Sequence, residues 1–204
     1  MKLRYKIILF SMLIIIPLMF FTSKRTCQKE FSDTVSAPYE PKQSDIYTQK
    51  SFSFKEYTIT PLANFYINAK ILSKKNYNNW LGNKEADLSP VDLALGWGEM
   101  SDDNVLKHIN ISQSGRWYRW KTKNSPIPLE EIKNNSANMH IIPLDDSILS
   151  TIDSACIGST IELEGRLVNV TKENGWRWKS SLSRTDSGAG ACEIIFVHHA
   201  KILD

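Results

Sequence analysis

Apolar and polar residues alternate with a period of two in two stretches of this chain, 65–71 and 160–170. This pattern is typical of β-strands that bury one face. A Glu-Asn-Gly turn signal at 173–175 and a strand-like segment at 176–182 predict a hairpin with the second stretch. Residues 192–203 contain an apolar run that indicates a last strand, buried on both faces. We therefore expect the chain to fold around a β-sheet.

Short helices are predicted between the strands. Ser89 and Pro90 have the positions of an N-cap and a first helical residue, Ser101 is a second N-cap, and residues 145–155 place apolar side chains at helical spacing. Strands with short interposed helices favour a mainly β fold of the α+β type. We expect a small, partly open barrel. An oligonucleotide/oligosaccharide-binding-like (OB-like) barrel is the first choice and a β-sandwich the second.

The N-terminus has the composition of a membrane-targeting segment. Three basic residues precede a largely apolar stretch at 7–21, which fits either a signal peptide or a retained signal anchor. No pair of small residues marks a cleavage site after this stretch, so we expect residues 1–23 to remain as a transmembrane anchor. A polar linker over 24–55 and a single β-rich domain over 56–204 complete the predicted organisation.

The positive charge of the chain is concentrated at the N-terminus. Residues 1–25 hold five Lys or Arg and no acidic residue, which leaves 20 basic against 22 acidic residues in 26–204. A domain that neutralises many phosphates needs a dense basic surface, so this count argues against nucleic acid as the main partner. Basic residues flank the apolar stretch on both sides, but the short N-terminal tail favours a domain outside the cytoplasm.

Cysteine usage predicts neither a metal site nor a redox motif. The chain has three cysteines, Cys27, Cys156 and Cys192, and no Cys-x-x-Cys pair, so no zinc ribbon or thioredoxin-type site is expected. In an exported chain Cys156 can pair with Cys192, which leaves Cys27 over. The alternative is that Cys156 and Cys192 are small buried residues. No nucleotide-binding glycine motif is present, and no cofactor is expected.

Two segments interleave aromatic and basic residues, at 116–121 and 176–179. Aromatic faces stack on sugar rings or bases and Arg adds cation–π contacts, so both segments are candidates for a binding surface. The alternative is a barrel core of large aromatics with solvated cations outside. Strand alternation places Trp117 and Trp120 on opposite faces, so at least one lies outside the core. The candidate ligand-binding residues are Arg116, Trp117, Arg119, Trp120, Trp176, Trp178 and Arg184.

His140 is the best candidate for a general base, since histidine side chains change charge near neutral pH. The polar loop at 183–190 adds Arg184 and Asp186, and its glycines can free backbone amides to bind an anion. A hydrolase would combine these three side chains. The alternatives are a structural histidine and a tight loop closed by an Arg184–Asp186 pair. Several serines and Cys192 are available as nucleophiles, but none has a catalytic signature around it.

Four longer strings carry a resemblance to known sequences. They are LSPVDLALGWGEMSD at 88–102, QSGRWYRW at 113–120, SANMHIIP at 136–143 and GWRWKSSLSRTDSGAGACE at 175–193. These strings resemble those of a family of uncharacterised, membrane-anchored bacterial proteins, over roughly residues 57–200. The resemblance implies a bacterial host and a location in the cell envelope. It implies no activity and transfers no site residues.

These features favour a membrane-anchored cell-envelope protein that binds a protein or a glycan and is not an enzyme. The first alternative is an envelope hydrolase that uses His140 with Arg184 and Asp186. The second is a nucleic-acid-binding, OB-like domain. The expected location is the bacterial inner membrane, with a single span and the domain facing the periplasm.

Overall fold

The computed structural model describes residues 27–30, 34–47, 50–77, 85–183, 188 and 191–203. Within them, the ten strands are β1 (Lys42–Asp45), β2 (Phe52–Phe54), β3 (Tyr57–Asn76), β4 (Val91–Gly96), β5 (Asn110–Ser114), β6 (Trp117–Lys121), β7 (Ser136–Pro143), β8 (Thr160–Thr171), β9 (Arg177–Trp178) and β10 (Glu193–Ile202). The three α-helices of the same part of the chain are α1 (Asp103–Leu106), α2 (Leu129–Asn134) and α3 (Asp146–Ser154).

Five of these strands close into a ring. β3 pairs with β4, β4 with β7, β7 with β10 and β10 with β8, and β8 returns to β3. The pairing of β7 with β10 is parallel, and the other four pairings are antiparallel. The ring confirms the predicted mainly β, partly open barrel, and its strand connectivity is that of an OB-like barrel.

The interior of the ring is an apolar core to which every strand of the ring contributes. The side chains of Ile67, Leu93, Met139, Leu163 and Ile195 come from the five different strands, and each is 0% exposed. Full burial of one such side chain contributes about 1.5–3 kcal/mol. The alternation predicted for 65–71 and 160–170 therefore reflects burial on the inner face of the ring.

Two structural features allow the ring to close. β3 shifts register between Pro61 and Ala63 and again between Ile71 and Ser73, and such bulges bend and twist a strand. On β8, a Cβ atom at Gly165 would overlap a backbone carbonyl oxygen of β10. Glycine is therefore needed at this contact between the two strands.

The segment after Ser89 is a strand, so the predicted helix there is wrong. All six residues of β4 are buried. The Leu-Ala-Leu within it suits a helix by intrinsic propensity, but the central position of this strand in the ring overrides that preference. In contrast, helix α3 lies within the predicted range 145–155 and β8 covers 160–170.

The segment that the sequence placed in a linker is attached to the barrel at several points. β1 and β2 each pair with β3 in antiparallel register, and Val35 forms a bridge with Asp102. Polar composition predicted a free linker, but pairing with the exposed edge of a long strand needs backbone groups rather than apolar side chains. The described part of 24–55 therefore belongs to the folded unit.

The disulfide joins Cys27 to Cys156, which excludes the Cys156–Cys192 pairing that the sequence left open. Beside it, the amide of Lys29 donates to the Ile157 carbonyl at 2.8 Å, and the amide of Ile157 donates to the Cys27 carbonyl at 2.9 Å. Cys192 is not in a disulfide. Sequence spacing cannot select a disulfide partner, because the fold sets the distance between the Cα atoms.

Two predictions fall on residues that the structure does not describe. They concern the anchor at 7–21 and the pair Arg184 and Asp186. In the described ranges, no helix combines the length and the apolar character needed to cross a membrane.

Candidate functional site

Two ionisable side chains lie buried side by side on the outer face of the barrel. Asp92 of β4 and His140 of β7 are register partners on adjacent strands, and the residues that flank each of them belong to the ring core. Their side chains are 1% and 3% exposed, respectively. His140 Nδ1 lies 2.9 Å from Asp92 Oδ1, and this nitrogen donates because a carboxylate only accepts.

Arg116 reaches the same carboxylate from the tip of an inserted hairpin. β5 and β6 form this hairpin, and its turn residues Gly115 and Arg116 have φ angles of 58° and 68°. Arg116 Nη1 donates to Asp92 Oδ1 at 2.7 Å, and Nη2 donates to the Ser89 carbonyl at 2.9 Å. A positive φ at a non-glycine residue costs about 1–3 kcal/mol, which these hydrogen bonds offset. Asp92, His140 and Arg116 form the buried polar cluster.

The body of the hairpin packs on the outside of the barrel. Tyr118 and Trp120 rest on an apolar cluster next to β4 and β7, and the Tyr118 hydroxyl donates to Ser136 Oγ at 3.1 Å. The other side of the hairpin presents Trp117, which is 42% exposed. The two tryptophans thus lie on opposite faces of β6, as the alternation predicted. This packing fixes the position of the hairpin tip, which carries Arg116 and Trp117.

Trp178 of β9 covers the imidazole of the buried polar cluster. The ring centroids of Trp178 and His140 are 4.6 Å apart. The guanidinium carbon of Arg116 lies 5.6 Å from the Trp178 ring and 3.8 Å from the Tyr77 ring. Trp176 stands edge-on to Trp178 at 6.1 Å and packs on a second apolar cluster. Aromatic rings therefore cover the buried polar cluster on its solvent side.

A cleft of about 400 Å³ opens between the hairpin tip, β9 and the start of β10. A smaller pocket of about 170 Å³ adjoins it and shares Trp117 and Cys192 with it. The two aromatic and basic segments that the sequence singled out thus meet at one place. The side chains that line the cleft are Arg116, Trp117, His140, Arg177, Trp178, Lys179 and Cys192.

The structure brings together some of the predicted binding residues and separates others. Arg116, Trp117 and Trp178 line the cleft, and Trp120 lines the adjoining pocket. Arg119 is exposed on the outer surface of the hairpin, where its guanidinium donates a long hydrogen bond to the Ser114 carbonyl at 3.5 Å. Trp176 lies outside the cleft lining, so the predicted binding surface is smaller than the set of candidates.

The predicted general base His140 does line the cleft. Its partner in the structure is Asp92, which the sequence analysis did not propose. Arg184 and Asp186 lie outside the described residues, so their meeting with His140 remains a prediction.

Sequence reasoning missed Asp92 because a helix was predicted around it. A strand over 91–96 would have turned the side chain of Asp92 away from the core, because its neighbours Val91 and Leu93 face the core. Asp92 would then lie on the same outer face as His140 of the neighbouring strand. The prediction also put Arg177 and Lys179 on the face opposite the tryptophans. They line the cleft together with Trp178 because β9 is only two residues long, so strand alternation does not extend through this segment.

The cleft is positively charged. Of the described residues that line it, three are Arg or Lys and none is acidic. Arg116 is paired with the buried Asp92, which leaves Arg177 and Lys179 to attract an anion from solvent. Cationic side chains pair with the anionic groups of a ligand, and aromatic side chains beside them contact its rings. The cleft therefore favours a ligand that has both rings and anionic groups.

Burial raises the pKa of two tyrosines near the site. The pKa of Tyr77 is raised to about 12, first by burial and then by the charge of Asp92. Burial also raises the pKa of Tyr118 to about 12. Since the native state holds these protons more tightly than the unfolded state, their contribution to stability is complete below about pH 10 and is lost as the pH rises through about 12.

We therefore expect an alkaline absorbance titration to show late ionisation of Tyr77 and Tyr118, and the free energy of unfolding to fall over that range. Tyr77→Phe and Tyr118→Phe should each remove one late-ionising group from the titration. A wild-type curve in which every tyrosine ionises in one step at the usual pH would contradict this expectation.

The site thus offers a buried Asp–His pair, a thiol and two solvent-facing cations beside aromatic rings. Within the part of the chain that the structure describes, no three His, Cys, Asp or Glu side chains are grouped closely enough to hold a metal ion. No family model, no curated protein and no solved structure matches this chain.

Proposed function

We propose that this protein is a membrane-anchored binding module of the cell envelope and that its cleft binds an acidic glycan. The observation that supports this most strongly is the meeting of two aromatic and basic segments at one cleft. Trp117 is 42% exposed and offers a ring face to a sugar, while Arg177 and Lys179 can pair with its carboxylate or phosphate groups. OB-like barrels commonly bind oligosaccharides or oligonucleotides.

A glycan is favoured over a nucleic acid by charge and size. Residues 26–204 carry 20 basic and 22 acidic residues, so the folded part does not attract a polyanion over a long surface. A cleft of about 400 Å³ has the size of a small-molecule site. It therefore suits a few sugar units better than a long strand of nucleic acid.

The disulfide supports a location outside the cytoplasm. Disulfides persist in oxidising compartments such as the bacterial periplasm and are rare in the cytosol. The basic residues on both sides of the apolar stretch distinguish poorly between the two possible orientations. The Cys27–Cys156 bond favours the one in which the domain of an inner-membrane protein faces the periplasm.

The disulfide also supports a position of the domain close to the bilayer. Only five residues separate Cys27 from the end of the apolar stretch at 7–21, so the chain between them spans at most about 21 Å. A free linker over 24–55 would allow a much greater distance. In this proposal the barrel end that carries Cys156 faces the membrane.

A binding experiment with matched probes tests the glycan proposal. Oligogalacturonate is the acidic probe and a maltooligosaccharide of equal length is the neutral one, titrated by calorimetry into the full chain in detergent micelles. We expect the acidic probe to bind more tightly. Trp117→Ala should weaken that binding at least about tenfold, since stacking on one aromatic side chain contributes about 1–3 kcal/mol for a nucleic-acid base.

Two further variants complete the experiment. Tyr47→Ala removes a more accessible aromatic ring, 107% exposed and outside the cleft lining, and should leave binding unchanged. The double variant Arg177→Ala, Lys179→Ala should bind the two probes with similar affinity. Equal affinity of the Trp117 and Tyr47 variants, or tighter binding of single-stranded DNA than of the acidic glycan, would refute the proposal.

A further inference from the structure

Three chemically active side chains lie on neighbouring strands at the cleft. Asp92 is on β4 and His140 is its register partner on β7. Cys192 immediately precedes β10, which pairs in parallel with β7 so that Glu193 is opposite Met139. The side chain of Asn138 lies on the same outer face of β7 as that of His140. Its Nδ2 atom is 3.8 Å from the Cys192 sulfur. The order across the sheet is therefore carboxylate, imidazole, thiol.

The orientation of the imidazole suits the transfer of a proton from the thiol side. His140 Nδ1 is bonded to Asp92 on β4, so Nε2 is on the ring edge away from that strand. Nε2 has no hydrogen-bond partner among the described residues, although the side chain is only 3% exposed. Cys192 and His140 line the same cleft. A carboxylate that holds one imidazole nitrogen leaves the other free to act as a base toward a nucleophile.

We propose that Cys192 is a nucleophilic thiol, that His140 is its general base and that Asp92 is the positioning residue for His140. The reaction class is acyl transfer from a carboxylic ester to water, with an acidic group of the ester held by the cations of the cleft. This proposal goes beyond glycan binding. It shares the cations of the cleft with that function, but its reacting groups are different, so separate measurements distinguish failure of one from failure of the other.

The proposed steps balance in atoms and charge. The thiol proton moves to His140 Nε2 while sulfur bonds to the ester carbonyl carbon. The ester C–O bond then breaks, and the alcohol leaves with the proton from His140. Water next attacks the thioester and gives a proton to His140. Finally the C–S bond breaks and sulfur regains the proton, so that one ester and one water become one acid and one alcohol.

Cations outnumber carboxylates among the described residues around the thiol. Arg177 and Lys179 line the same cleft as Cys192, and nearby cations stabilise a thiolate. Lys133 and Glu193 line the adjoining pocket, and Arg116 is paired with the carboxylate of the buried polar cluster. Cys192 is itself partly exposed, so reagents and substrates can reach its sulfur.

The first test measures how fast iodoacetamide alkylates the full chain in detergent micelles as a function of pH. With the Cys27–Cys156 disulfide intact, Cys192 is the one thiol of the three cysteines. We expect the midpoint of the rate profile to lie at least about one pH unit below that of N-acetylcysteine measured alongside, as for other assisted thiols. A midpoint at or above that of N-acetylcysteine would overturn the proposal without any variant.

Two variants assign the roles. His140→Gln should slow alkylation near neutral pH about tenfold or more and move the midpoint upward, and Asp92→Asn should do so to a smaller extent, because it loosens the imidazole without removing it. His199→Gln removes an exposed imidazole that lies outside the cleft lining, so it is the matched control and should leave the profile unchanged. If the His140 variant retains its melting temperature and the wild-type profile, the base assignment is wrong.

The second test uses p-nitrophenyl acetate as the ester. We expect release of p-nitrophenolate together with an acetyl group on the peptide that contains Cys192, found by mass spectrometry, and loss of both in Cys192→Ser. Absence of the acetylated peptide in the wild type would overturn acyl transfer. The acetylated peptide and the glycan titration are separate measurements on the wild type, so failure of acyl transfer is distinguishable from failure of the binding function.

Discussion

Replacement of both Cys27 and Cys156 by serine is expected to lower the free energy of unfolding by about 4 kcal/mol. The disulfide joins residues that are 129 positions apart, and closing a loop of that length removes a large share of the conformational freedom of the unfolded chain. Urea unfolding of the full chain in micelles, followed by tryptophan fluorescence, measures the change.

The control for this experiment is Cys192→Ser, which removes a cysteine outside the disulfide. Its unfolding midpoint should stay close to that of the wild type. Reduction of the wild type should reproduce the double variant. An unfolding midpoint of the double variant equal to that of the Cys192 variant would refute the role assigned to the disulfide.

A local effect should accompany the global one. Without the disulfide, the hydrogen bonds between Ile157 and the residues Cys27 and Lys29 lose the covalent link beside them. We expect hydrogen exchange at the Ile157 amide to become fast, while amides in the ring core such as that of Ile195 stay protected against local opening.

Arg116→Ala is expected to destabilise the fold by about 3–5 kcal/mol, because removal of one partner from a buried charged pair leaves the other charge uncompensated. Asp92 is 1% exposed and would lose the guanidinium while keeping its contact with the imidazole of His140. The guanidinium also holds the tip of the hairpin through the Ser89 carbonyl. Urea unfolding again provides the measurement.

Arg116→Gly separates the side-chain contribution from the backbone cost. The φ angle of Arg116 is 68°, which glycine adopts freely, so this variant should be more stable than Arg116→Ala by about 1 kcal/mol. Arg119→Ala, three residues along and exposed, should change stability by less than about 0.5 kcal/mol. If Arg116→Ala and Arg119→Ala unfold at the same urea concentration, the buried polar cluster does not stabilise the hairpin.

Local patterns in the sequence were sufficient for the elements whose side chains face one core. The alternation in 65–71 and 160–170 predicted strands that β3 and β8 contain, and the apolar spacing in 145–155 predicted α3. The turn signal at 173–175 predicted the pairing of β8 with β9. For the strands and the helix the physical cause is burial of one face, which leaves a period in the sequence.

Patterns failed where a segment is buried on two faces or held by its backbone alone. β4 is buried throughout, so it has no alternation to detect and its composition favoured a helix. β1 has four exposed residues and joins the sheet by pairing with β3. Burial on two faces and pairing through the backbone leave no periodic pattern in the sequence. Both depend on which strands lie next to the segment in the folded chain.

The site was predicted in fragments. Its aromatic and basic residues were identified from their composition, and alternation alone placed Trp117 and Trp120 on opposite faces of the strand. Their meeting with His140, Asp92 and Cys192 depends on the register of β4, β7 and β10 and on the inserted hairpin. Contacts between residues 24 to 100 positions apart are not encoded in any single segment.

The sequence by itself therefore determined the fold class, the concentration of positive charge before residue 26 and the residue types available to a binding site. The tertiary structure alone decided which cysteines pair, which carboxylate partners His140 and where the two tryptophan segments meet. The physical reason is that burial and strand propensity act over neighbouring residues and leave a period in the sequence. A disulfide, an ion pair or a cleft instead requires groups that only the closed ring of strands brings within bonding distance.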